Sequence, residues 1–133
     1  MNARRGTDRQ RLTAVLEALA LEGVAVWFDL RGNTGVREDR YNDYIRAAEM
    51  AGTDRWVGDH VGHVDCGGAY WGDDGMLRTH PNGAPWSRLL WSFNHEYPEL
   101  ADLLVRLHRE QGFDADWSGD PYECVSVPLG GGQ

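Results

Sequence analysis

The sequence predicts an α+β domain, with a mainly antiparallel sheet and helices packed on one face. Three observations carry this expectation. Apolar residues recur at helical spacing in well-separated segments, and short β-branched or aromatic runs lie between them. Glycine-rich turns also join strands as hairpins more often than helices join them as crossovers. The chain has 133 residues, a size at which roughly two thirds of the unfolded surface is buried on folding. One domain over 1–133 is therefore expected, with about six N-terminal residues and residues 130–133 as frayed ends.

The first helix is predicted by Thr7 and Gln10 at capping-box spacing, followed by Leu12, Val15, Leu16 and Leu19 on one stripe, and it ends at Gly23. Val24 to Phe28 is short, apolar and rich in β-branched and aromatic residues, which suits a buried strand. Asp29 to Arg40 carries Gly32-Asn33-Thr34-Gly35 and reads as a loop. A second helix is expected from about Tyr41 to Ala51, with Tyr44, Ile45 and Ala48 facing inward and Gly52 at its C-terminal end. Strands follow around Trp56 to Cys66, at Ala69 to Trp71 and at Met76 to Arg78, the last two joined by a Gly72-Asp73-Asp74-Gly75 turn. Pro85, with Trp86, Leu89, Leu90 and Phe93 at i, i+3, i+4 and i+7, predicts a third helix. Pro98 then starts a fourth, whose stripe is Leu100, Leu103, Leu104 and Leu107 and whose stop is Gly112. Alternating Phe113, Ala115 and Trp117, a turn at Ser118 to Pro121, and a strand over Tyr122 to Val127 complete the order.

Charge narrows the function classes. Twenty-one acidic residues oppose 13 basic ones for a net charge of −8, and every basic residue is arginine. Such a surface disfavours nucleic acid and anionic membranes as partners and suits a basic protein. No apolar run approaches the roughly 20 residues that span a bilayer, and the N-terminus has no signal-peptide pattern. Cys66 and Cys124 do not form a disulfide framework. A cytoplasmic protein is expected.

Chemistry-bearing residues concentrate between Asp59 and His80, where His60, His63, Asp65, Cys66 and His80 are all metal-ligand types. In a regular strand His63 and Asp65 share one face while His60 and Cys66 share the other, so the best trio for zinc or another divalent transition metal is His63, Asp65 and His80. Cys66 before Gly67-Gly68, with His63 or His80 as base, is the nucleophile arrangement to consider; its plain reading is a small buried hydrophobe. Arg31 to Gly35 lacks both the P-loop lysine and the dinucleotide glycine pattern, and reads as a turn. The pairs Asp73-Asp74 and Asp114-Asp116 adjoin turns and read as solvated surface. Trp27, Trp56, Trp86 and Trp117 read as packing, although Trp27, Trp56 and Tyr70 are also candidates to line a small-ligand pocket. Tyr70, Trp71 and Trp91, with Asp73 and Asp74, are aromatic and acidic types at the rim of a core and form the candidate binding patch.

Leu103 to Val127 joins an apolar helix, Gln111-Gly112-Phe113, Asp116-Trp117-Ser118-Gly119-Asp120-Pro121 and a closing strand. This unit resembles the C-terminal part of an uncharacterised domain of actinobacterial proteins, and Gly67-Gly68-Ala69-Tyr70-Trp71 is loosely similar to that domain's central strand. The resemblance covers about a quarter of the chain and implies an α+β fold and a high-GC source, actinobacterial or phage-like, with no activity attached.

Taken together, the residues predict a small acidic module, without catalysis or cofactor, that binds a protein. An inhibitor, immunity protein or counter-defence factor is a concrete form of it. The alternative is a metal-dependent hydrolase or metal-binding regulator centred on residues 59–80.

Overall fold

A computed structural model describes residues 6–28, 30, 37–60, 69–79 and 88–129, with backbone only at 37–43, 60 and 79. The elements in order are α1 (Asp8–Leu21), β1 (Ala25–Trp27), α2 (Arg37–Ala51), β2 (Trp56–His60), β3 (Ala69–Trp71), β4 (Leu77–Thr79), β5 (Arg88–Phe93), α3 (Glu99–Glu110) and β6 (Val125–Pro128). The fold is α+β. A four-stranded sheet has the order β1-β2-β5-β6, and β3 and β4 form a separate two-stranded hairpin. Among the described residues, only β1 and β2 pair in parallel; the other pairs are antiparallel.

α1 starts where its capping box says it should. Thr7 Oγ1 accepts the Gln10 N–H and the Gln10 side chain returns to the Thr7 N–H, satisfying two of the amides a helix N-terminus leaves unpaired. Its stripe of Leu12, Val15 and Leu19 packs with Leu100, Leu104 and Leu107 of α3 and with Val57, Leu89, Trp91, Val125 and Val127 of the sheet. Residues alternate faces along a strand, so this core lies on one side of the sheet. Opposite it, Ala25 and Trp56 pack with Tyr44 and Ala48 of α2. Helices thus share one face, as expected, for α1 and α3, while α2, the crossover of the parallel β1-α2-β2 unit, covers the other.

Gly58 explains how closely α2 approaches. It faces Tyr44, and a Cβ there would stand 2.5 Å from Tyr44 Cζ and closer still to the ring's Cδ1 and Cε1. The absent side chain lets the Tyr44 ring lie on the sheet, stacked on Trp56 at 5.2 Å between centroids.

Three expectations are corrected. Residues 88–93 form a strand where a helix was predicted: Leu89, Trp91 and Phe93 are buried and alternate with Arg88, Leu90 and Ser92. The same apolar residues satisfy both a period of 3.6 and a period of two, and pairing with β2 and β6 selects the second. Ile45, expected inward, is 40% exposed, because Tyr44 and Ala48, at i and i+4, form the stripe that covers the sheet and Ile45 lies about 100° round the helix from Tyr44. The segment from Phe113 to Trp117 buries Phe113 and Ala115 but makes only an isolated bridge, Asp116 with Ser126, against the outer edge of β6.

Two polar groups are built into the larger core. His108 is fully buried in the last turn of α3; it accepts the Trp91 Nε1–H at its Nε2 (3.0 Å), and its Nδ1 lies 2.7 Å from the Leu104 carbonyl. Since Trp91 can only donate and Leu104 O can only accept, the ring is the neutral Nδ1–H tautomer. Arg11, held by Asp8 one turn back at 2.7 Å, ties α1 to the end of α3 through the Gln111 carbonyl (3.0 Å) and the Phe113 ring, over which its guanidinium sits at 4.3 Å. Among the described residues, no helix is long and apolar enough to cross a membrane.

Candidate functional site

Two places gather unusual chemistry: the β3–β4 hairpin, and the rim where β1 and β2 end. The hairpin is docked on the larger core at both ends. Leu77 is fully buried and Trp71, its partner across the ladder, packs against the same core, while Tyr70 lies opposite Arg78 on the other face. Its turn is closed by Gly72 N–H to the Met76 carbonyl at 2.8 Å. Gly75, at φ +77°, sits so close to Thr7 that a side chain would collide with it, and the Gly75 carbonyl accepts the Arg9 N–H of α1 at 3.1 Å. The tip of the hairpin therefore satisfies an amide at the start of α1.

Asp74 holds the turn from outside. Its Oδ1 accepts the Met76 N–H at 3.1 Å and its Oδ2 pairs with Arg78 at 2.8 Å. The Met76 amide first, and the Arg78 guanidinium second, hold its carboxyl below the ordinary aspartate range. Asp73 beside it is exposed, and Tyr70 is 36% exposed. Tyr70, Asp73 and Asp74 thus share one exposed side of a short hairpin element.

The structure does not bring the whole predicted patch together. Trp71 is half-buried and turned inward. Trp91 leaves the patch altogether: it is a core residue of β5, with no exposed surface, stacked on Phe28 at 5.8 Å and hydrogen-bonded to His108. Its expected position at the edge of a helical stripe disappears with the helix. The candidate pocket of Trp27, Trp56 and Tyr70 is also divided, since Trp27 and Trp56 pack under α2 while Tyr70 belongs to the hairpin.

At the strand rim, Asp59 is the residue that pattern reading missed. It is fully buried, two positions after Val57 on the same face of β2. Its Oδ2 accepts the Leu30 N–H at 2.8 Å, and its own carbonyl accepts the Tyr44 hydroxyl at 3.1 Å. Leu30 is buried and lies at φ 59°, a left-handed conformation that costs a non-glycine residue roughly 1–2 kcal/mol. Its carbonyl accepts the Ala69 N–H at 2.9 Å. Asp59 therefore stabilises the exit of β1 and, through Leu30, the entry to β3. A lone carboxylate inside Trp56-Val57-Gly58-Asp59 was the available signal, because a buried carboxylate demands partners.

His63, Asp65, Cys66 and His80 lie outside the described residues, and His60 is described only by its backbone, paired with Leu90 at the end of β2. Among the described residues no group of three or more His, Cys, Asp or Glu side chains is placed to hold a metal ion. Cys124 forms no disulfide; burial raises its thiol pKa, and its Sγ lies 3.6 Å from Ser92 Oγ. A raised pKa is the opposite of what activates a nucleophilic thiol. No described protein family, curated protein or solved structure matches the chain.

Proposed function

We propose that this chain is a non-catalytic module that binds a basic protein, with the β3–β4 hairpin as a contact surface. The observation that carries this reading is the hairpin itself: Tyr70, Asp73 and Asp74 are exposed on one short element whose Leu77 is buried in the core. A rigid aromatic flanked by charge contributes affinity at low ordering cost, because the turn is already fixed before a partner arrives. The net charge of −8 supplies long-range attraction to a positive surface. An inhibitor or immunity protein of a basic toxin or enzyme is the form this module takes.

The test is affinity capture from the cells that express the protein, comparing wild type with the double variant Tyr70→Ala/Asp73→Arg. Asp74 is left in place because it closes the turn. The wild type is expected to retain a basic protein that the variant loses, with both variants equally stable. Equal retention by the two contradicts the hairpin as the contact.

Asp59 favours a second reading, the metal-dependent hydrolase or metal-binding regulator, because a buried carboxylate precedes His60 in the last residues of β2, and His63, Asp65, Cys66 and His80 follow in the sequence. Elemental analysis of protein purified without chelator separates the readings. A stoichiometric divalent transition metal that is lost on His63→Ala supports the second; its absence from the wild type removes the observation that reading needs.

A further inference from the structure

We propose that Asp59 is a positioning residue of the contact surface: through Leu30 it fixes where β3 begins and so sets Tyr70 in place before a partner arrives. The proposal rests on the reading of the β3–β4 hairpin as that surface. A buried carboxyl side chain is costly unless it serves a hydrogen bond, and an apolar residue beside Val57 would fill the same space without that cost. Asp59 instead takes the Leu30 N–H at 2.8 Å. Among the described residues Leu30 is the only non-glycine at positive φ, and its side chain is buried in the larger core. Glycine would hold this backbone without strain but would give up that burial. The hydrogen bond to Asp59 keeps Leu30 in the left-handed region, and from there its carbonyl accepts the Ala69 N–H at 2.9 Å. Released to the right-handed or extended regions that leucine favours, Leu30 would turn its carbonyl away from Ala69.

Tyr70 stands between two anchors. Before it comes Ala69, bonded to Leu30; after it comes Trp71, packed on the larger core and paired with the fully buried Leu77. The tip of the hairpin is docked separately, by the Gly75 carbonyl on the Arg9 N–H of α1. Loss of the Asp59 hydrogen bond therefore frees the first anchor alone, and Tyr70 with it. The turn that carries Asp73 and Asp74 stays closed, because Gly72, Met76 and Arg78 hold it without any part of Asp59 or Leu30. The ordering cost of a loosened Tyr70 would then fall on the binding step, which is where a fixed β3 spares it.

The experiment is native-state hydrogen exchange of the ¹⁵N-labelled protein, following the amides of Leu30, Ala69 and Arg9, with that of Leu104 inside α3 as the measure of global unfolding. In Asp59→Ala the Leu30 and Ala69 amides are expected to exchange at least about tenfold faster relative to Leu104, while Arg9 keeps its wild-type ratio. Asp59→Asn keeps an acceptor oxygen for the Leu30 N–H and should restore most of the protection at Ala69. A role in stability alone would speed all four amides together. That result, or an Ala69 amide as unprotected in Asp59→Asn as in Asp59→Ala, would overturn the proposal. If Asp59→Ala does not fold, the wild type in low urea decides: Leu30 and Ala69 should open as one unit ahead of Leu104, and independent opening of the two would overturn it. The consequence for binding is read with the basic protein that the wild type retains in affinity capture, whose affinity should fall about tenfold for Asp59→Ala and recover in Asp59→Asn. Unchanged affinity beside a selective loss of protection at Ala69 would overturn the part of Asp59 in binding; the hairpin reading itself falls only if Tyr70→Ala/Asp73→Arg also binds like the wild type.

Discussion

The fold is expected to lose about 3 kcal/mol of stability as the pH falls from 6.5 to 4, and the cause is one imidazole. His108 is buried in its neutral form with both ring nitrogens engaged, by Trp91 and Leu104. Desolvation first of all lowers its pKa from 6.5 to about 4 in the folded protein; the Leu104 hydrogen bond opposes this but is the smaller effect. Between these two values the unfolded chain binds a proton that the folded chain does not, so stability falls as the pH falls through this window and the loss is complete below it. Protonation also removes the lone pair that accepts the Trp91 N–H. Against a typical total of about 5–15 kcal/mol this is a large fraction. Urea unfolding of wild type and His108→Phe at pH 7, 5.5 and 4.5 checks it. The variant is expected to be less stable at pH 7, because Trp91 loses its acceptor, yet to show a flatter pH dependence; parallel curves would contradict the role given to His108.

Gly58→Ala is expected to cost about 3 kcal/mol, the upper range for forcing volume into a packed core. The added methyl group meets the Tyr44 ring, which is wedged between Gly58 and Trp56 and whose hydroxyl donates to the Asp59 carbonyl. Relief requires α2 to lift from the sheet, and that would also weaken the rim where Asp59 fixes Leu30. Chemical denaturation of Gly58→Ala, Tyr44→Ala and the double variant measures the clash directly. The double variant should be more stable than the two single losses add up to, since removing the ring removes the collision. Additive losses would mean that the ring and the glycine do not meet.

Most of the fold was legible because its signals were local. The Thr7/Gln10 capping box fixed the start of α1, the leucine stripe after Pro98 gave α3, and the Gly-Asp-Asp-Gly turn gave the β3–β4 hairpin. Residues 88–93 misled because Leu90 is apolar on the opposite face of β5, which completes a helical pattern that exists only in the sequence. The parallel pairing of β1 with β2 was hidden because register depends on tertiary packing, as was the placement of α2 on the second face. The core role of His108 was masked because histidine is a polar type followed by Arg109 and Glu110, and only the i+4 step from Leu104 hints at it. At the site, Tyr70, Asp73 and Asp74 could be grouped from the turn alone. Removing Trp91 from that group, and recognising Asp59, required the sheet.

Calorimetric titration of the captured basic partner into wild type and into Tyr70→Ala/Asp73→Arg, each at about 50 mM and about 500 mM salt, tests the central claim most directly. Binding of the wild type should weaken markedly at the higher salt, and the hairpin variant should bind at least about tenfold more weakly at the lower one. Affinity that is unchanged by salt and by the hairpin substitutions would contradict the account of this chain as an acidic module that meets its partner through β3 and β4.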